Sequence, residues 1–425
     1  MKNNILNINY QKMILDNGLE VVLIQDNSIP LATVNLWYKV GSANESPGKT
    51  GFAHLFEHMM FQGSQNVPKE KHFKYIQEAG GTLNGSTSLD RTNYFETIPS
   101  NSLELALWLE SDRMGFLIPA LTKEKLQNQK DVVMNERRQR YENQPYGLAW
   151  ETLFSNLFPK DHPYSWPTIG WMEDIKKFQL SDVKKFFKTY YAPNNASLVV
   201  FGDIEYGKTI RLVEDYFGEF PKGNSVPEIY VPETSLTENK LITLEDNVQL
   251  SRLYLAWHSD KLYGEDDAAL DILSEILSGS KNSRLYKSLV FDKQIAQDIS
   301  TFQYSAKQTG MFIIVATVKP GHSIDEVKET IINEINKIGT KSIKDEELSR
   351  ALNSLKSSYI FSLQKQSSLA DQINNYNCNL GEPNSFIFDL DRYARVTKQS
   401  VAVVKEIYLD KPFIELHVVP KIYEN

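Results

Sequence analysis

The stretch PKGNSVPEIYVPETSLTE at 221–238 constrains the fold most, because it sets three prolines in a run with little helical spacing. Proline lacks a backbone donor and fixes φ, so neither a helix nor an inner strand passes through such a stretch. The chain therefore divides into a body over 1–222, a linker over 223–240 and a second body over 241–425. A length of 425 residues is enough for each body to bury its own core.

The two bodies read alike. In the first, β-branched and aromatic runs predict strands at 19–26 and 32–40, then helical spacing at 51–62 and 71–79. A strand pair at 82–88 and 91–98 follows, then helices at 103–114, 122–142 and 181–190, and a buried strand at 196–202. In the second, strands at 251–258 and 311–318 enclose a helix at 266–278, with helices at 323–338 and 344–364 after them. EHMMFQGS at 57–64 is echoed by EILSGS at 275–280, each at the end of an apolar helix. The pattern predicts a duplicated α+β unit whose second copy lacks histidines at this helix.

The first of these helices carries HLFEH, with two of the chain's seven histidines four residues apart. Side chains three or four apart share a helix face. His54 and His58 therefore present two imidazoles to one point, with Glu57 beside them. Two nitrogens so spaced suit zinc, whose catalytic sites take three protein ligands and keep a position for water. Glu57 is placed to take that water's proton. A third ligand must come from elsewhere, and the helix over 122–142 offers Glu136 after an apolar patch. The residues alone do not choose Glu136 over Glu142 or Glu151. A histidine on an apolar face is more often a satisfied core residue, so the pattern needs a tertiary partner to mean metal.

Composition narrows the classes. A net charge of −8 argues against nucleic-acid binding, and no window holds the ~18 uninterrupted apolar residues of a membrane helix. The single cysteine, Cys378, excludes an internal disulfide and leaves metal ligation to histidine and carboxylate. The start lacks a basic region followed by an apolar one, so the expected location is cytoplasmic, or periplasmic if the chain is a processed mature form.

The stretch 19–63, with LWYKVGSANESPGKTGFAHLFEHMMFQGS, resembles the pitrilysin/insulinase-type zinc peptidases, whose H-x-x-E-H reverses the commoner metallopeptidase motif. The likeness continues through GGTLNGSTSLDRTNYFETI at 80–98 and VVMNERR at 132–138, and loosely to the end. It implies two similar α/β units per half-size chain, each a mainly antiparallel sheet with helices packed on it, forming half of a clamshell around a closed chamber. It implies one Zn2+ per chain on His54, His58 and Glu136, with Glu57 as general base. It implies an edge strand at Leu83, Asn84, Gly85, Ser86 and Thr87 that takes an extended peptide through main-chain bonds. Where the family usually carries a further glutamate seven positions before the distal ligand, this chain has Gln129, which implies retained zinc with altered activity. An arginine and a tyrosine used elsewhere in the family to hold substrate fall on Val290 and Gln297. That implies a heterodimer with a sister subunit supplying the Arg/Tyr pair. The expected function is a zinc metalloendopeptidase subunit acting on unfolded peptides. A structural or assembly subunit of the same fold, or a protein that captures peptides without cutting them, is the alternative.

Overall fold

The computed structural model describes residues 8–421, which form two compact units, each assembled from three segments. The first takes 8–137, 166–230 and 361–387, and the second 138–165, 231–360 and 388–421. Neither unit is continuous in sequence: 138–165 belongs with the later unit, and 361–387 with the earlier one. Residues 221–236 form neither helix nor strand, as three prolines require.

The first unit is built on six strands: β1 (Gln11–Ile14), β2 (Glu20–Gln25), β3 (Leu31–Tyr38), β4 (Thr82–Thr87), β5 (Thr92–Pro99) and β6 (Ala196–Gly202), in the order β1-β2-β6-β3-β5-β4. Only β2 and β6 pair in parallel. The second has five: β7 (Lys240–Asp246), β8 (Arg252–Ser259), β9 (Ala296–Ser305), β10 (Gly310–Val318) and β11 (Ile414–Pro420), in the order β7-β11-β8-β10-β9. There the parallel pair is β7 and β11. With β1 set aside, the two sheets have the same topology. The expected α+β class with two similar, mainly antiparallel units is what the chain adopts.

The central strands are buried on both faces. β6 is buried throughout and β3 at every position but its first, as a sheet covered by helices on both sides requires. In the first unit α1 (Phe52–Met59), α2 (Lys71–Glu78) and α3 (Leu103–Phe116) pack on the sheet, α4 (Lys123–Arg137) packs on α1, and helix Gln366–Leu380 packs along β6, β3 and β5. In the second, helix Asp267–Ser278 packs on β9, and α5 (Ala149–Leu157) packs on β8 and β11. Each sheet is thus covered by a helix from the opposite half of the sequence.

Several elements exceed the sequence reading. β1, β7, β9 and β11 were not expected, nor were α5 and the helices Tyr206–Phe217 and Gln366–Leu380. β7 alternates exposed and half-buried residues without a β-branched run, and β9 is largely polar, so neither carries a strong strand signature. The regular α-helix expected over 122–142 ends at Arg137, and a wider turn continues over 138–142.

Candidate metal centre

Gly51 caps the start of α1, with a φ of +88° that a side chain rarely adopts. A Cβ there would also meet the Ile169 carbonyl oxygen at 2.4 Å. The first turn is held by a carboxylate from outside the helix. Glu45 accepts from the Gly51 amide at 2.8 Å and the Ala53 amide at 2.7 Å. Those amides are orphan donors of a helix start, where negative charge is also favoured by the helix dipole. Burial nevertheless pushes the Glu45 carboxyl up to about 8, against the pull of these amide bonds.

The apolar side of α1 (Phe52, Ala53, Leu55, Phe56 and Met59) is buried. That leaves His54, Glu57 and His58 on the remaining face, each partly accessible. The two rings lie 4.8 Å apart between centroids.

α4 packs against α1 and delivers Glu136. It is pinned by Lys130 Nζ, which donates to the carbonyls of Lys176 at 2.6 Å and Phe178 at 3.3 Å, and by Arg137, which donates to Gly170 at 3.1 Å. Glu136 Oε2 comes to 3.3 Å from His58 Nε2 and 3.8 Å from His54 Nε2. One ligand atom from each of the three lies within 4.8 Å of the others. Ligands about 2.0–2.1 Å from a tetrahedral zinc sit roughly 3.3 Å from one another, so the donors need only small adjustments to hold such an ion. Two imidazoles and one carboxylate also match the chemistry of a catalytic zinc set. Neither Glu142 nor Glu151 belongs to this grouping among the described residues.

Glu57 projects from the same face. Burial raises its carboxyl above the usual range, and the Thr87 hydroxyl, donating to Oε2 at 2.6 Å, pulls it back. Thr87 ends β4, the outermost strand of its sheet, with Leu83, Asn84, Gly85 and Ser86 before it. Asn84 uses its side-chain oxygen locally, accepting from the Gly85 amide at 2.9 Å. Gln129 is buried on α4, two turns before Glu136, and donates to Asn128 at 2.9 Å. In the second unit Val290 packs against the core and Gln297 is exposed on β9.

A second group, His72, Glu96 and Glu110, is fully buried. It does not suit a cation. The Arg113 guanidinium donates to both Glu110 oxygens and reaches Glu96 at 3.5 Å, so a metal would face a fixed positive charge. Burial and then Arg113 push His72 well below its ordinary range, which keeps it neutral.

The profile described as Insulinase (Peptidase family M16) matches residues 20–167, which hold all four site residues, and the Peptidase M16 inactive domain matches 177–355. The zinc protease PqqE of Helicobacter pylori is 30% identical over 371 residues, covering 86% of this chain and 83% of that protein. This chain belongs to peptidase family M16. Within the family, a probable mitochondrial-processing peptidase subunit beta of Arabidopsis thaliana is 24% identical over 92% of this chain and 74% of its own length. A solved structure of a protease from Helicobacter pylori superposes with a TM-score of 0.90 at 28% identity, covering 97% of this chain and all of that one. None of the described helices is long and apolar enough to cross a membrane.

Two contributions to the centre escaped the sequence reading. Glu45 lies six and eight residues before the amides it binds, outside the local window in which a cap is legible. The family resemblance marks Thr87 only as part of a peptide-binding strand, and nothing in its sequence neighbours points at Glu57.

Proposed function

We propose that this chain is a zinc metalloendopeptidase subunit that hydrolyses unfolded peptides, with one Zn2+ held by His54, His58 and Glu136. The observation that carries the reading is the convergence of these three donors from α1 and α4, with Glu57 beside them. A zinc ion there supplies a Lewis acid for the scissile carbonyl and lowers the pKa of water towards ~7. Glu57 accepts the proton of the attacking water and returns it to the leaving amine. Its Oε2 is occupied by Thr87, which leaves Oε1 for that work. The free edge of β4 receives the peptide as an added strand, with main-chain bonds that demand little of its sequence. Asn84 lies along that strand beside the scissile bond. Gln129, which puts no charge two turns before Glu136 on α4, lowers activity without removing the metal.

Val290 offers no side-chain donor where the arginine would stand, and Gln297 offers only a neutral amide in place of the tyrosine phenol. A positioned donor contributes roughly 3 kcal/mol to the transition state. A sister subunit carrying the Arg/Tyr pair completes the site, in a heterodimer closing around a chamber.

Elemental analysis and an internally quenched peptide assay test this reading. The purified chain is expected to hold one zinc. Turnover should be weak alone, rise on adding the sister subunit, stop with chelator and return with zinc. A zinc-free chain that only stabilises a partner would favour a structural subunit instead.

A further inference from the structure

One row of residues crosses the first sheet. In register, Glu20 of β2 faces Ser197 of β6, Ser197 faces Trp37 of β3, Trp37 faces Asn93 of β5, and Asn93 faces Ser86 of β4. Helix Gln366–Leu380 packs along this row with a polar stripe rather than an apolar one. Asn377 donates to Glu20 at 2.8 Å and Ser197 at 2.9 Å. Asn374 is fully buried and donates to the Asn35 carbonyl at 2.9 Å. Asp371 Oδ1 accepts from the Trp37 indole and the Asn93 amide, both at 2.8 Å, and from Asn35 at 3.4 Å.

The row then reaches the edge strand. The Ser86 hydroxyl donates to Asn93 Oδ1 at 2.6 Å. Arg91 donates to the same oxygen at 2.9 Å and to the Ser86 carbonyl at 3.0 Å. Successive side chains of a strand point to opposite faces. Fixing Ser86 on one face therefore turns its neighbour Thr87 to the other, where Thr87 meets Glu57 at 2.6 Å.

We infer that Asp371 and Thr87 are positioning residues for Glu57: helix Gln366–Leu380 locks the end of β4 through Asn93 and Ser86, and the locked strand holds the carboxylate through the Thr87 hydroxyl. An edge strand bonded on one side only would otherwise twist and fray. The inference rests on the peptidase reading for what Glu57 does, and on hydrogen bonds alone for the tether.

The experiment uses the zinc-loaded, fully assembled protein, an internally quenched peptide, and hydrogen–deuterium exchange. Thr87→Val keeps the shape and removes the hydroxyl, and is expected to lower kcat roughly tenfold to a hundredfold, since a hydrogen bond to a charged group is lost. KM and zinc content should hold, and Thr87→Ser should restore most of the rate. Asp371→Ala should lower kcat by less and raise KM, while Asp371→Asn, which keeps the accepting oxygen, should stay near wild type. If Asp371 acts through Thr87, the double variant Thr87→Val/Asp371→Ala has the kcat of Thr87→Val alone. Asp371→Ala should also quicken amide exchange at Gly85, Ser86 and Thr87 several-fold and leave the second unit unchanged. An unaltered kcat in Thr87→Val, an additive double variant, or unchanged exchange in β4 would overturn the inference. A wild-type protein without zinc-dependent turnover would sink the peptidase reading and the role at Glu57 with it, while the exchange data would still decide the tether.

Discussion

The two units share one sheet topology and put opposite chemistry on corresponding helices. Aligning Gly63-Ser64 with Gly279-Ser280 gives an offset of 216 residues. His54, Glu57 and His58 of α1 then correspond to Leu270, Leu273 and Ser274 of helix Asp267–Ser278. Leu270 and Leu273 are fully buried in the second unit's core, whereas the residues of α1 remain partly accessible. Corresponding helices thus present a candidate metal-binding face in one copy and packing in the other. The fold tolerates both because its stability comes from the apolar face that each helix keeps, Phe52, Leu55, Phe56 and Met59 in α1 and Ala269, Ile272 and Ile276 in the later helix.

Glu57→Gln should leave zinc bound and lower peptide hydrolysis by ~10²–10⁴-fold, the usual contribution of a positioned general base. Turnover near the wild-type rate would move the base elsewhere. Converting the first helix towards the second, with His54→Leu and His58→Ser together, should abolish zinc binding by elemental analysis. The circular dichroism spectrum should survive, because neither histidine belongs to the apolar face. A zinc-loaded double variant would break the comparison.

In the second unit the expectation reverses. Leu270→Ala should destabilise by ~2–5 kcal/mol in a denaturant titration, as a buried leucine truncation does, and leave zinc content unchanged. The last concerns pH. Burial holds His162 and His258 down at about 4, with their mutual repulsion adding at His162. The unfolded chain binds protons at these sites near pH 6.5 and the folded one does not. Their contribution is therefore fully present above pH 6.5 and is lost as pH falls towards 4. The loss should be on the order of 1–3 kcal/mol for the pair between pH 6.5 and 5, after a discount for the partial exposure of His258. His162→Phe should flatten that slope, and an unchanged slope would assign it to other groups.

The helix pair of histidines was legible because its message is local: spacing of four on one face needs no tertiary knowledge. The duplicated plan was legible for a similar reason, since strand and helix periods repeat on either side of the prolines. Other strands were not. β9 is too polar and β7 too weakly patterned to betray themselves, and their identity comes from the neighbours they pair with.

Residue order alone carries the two similar units, the paired imidazole face on α1 with a carboxylate beside it, and the lack of an internal disulfide. Residue pattern leaves Glu136, Glu142 and Glu151 alike; resemblance points to Glu136, and it is the docking of α4 on α1 that brings this carboxylate to the histidines. The tertiary structure also decided which helix covers which sheet. Glu45 and Asp371 reach their partners across loops and half the chain, and such pairings are fixed by burial of polar groups that must find partners, not by spacing along the sequence.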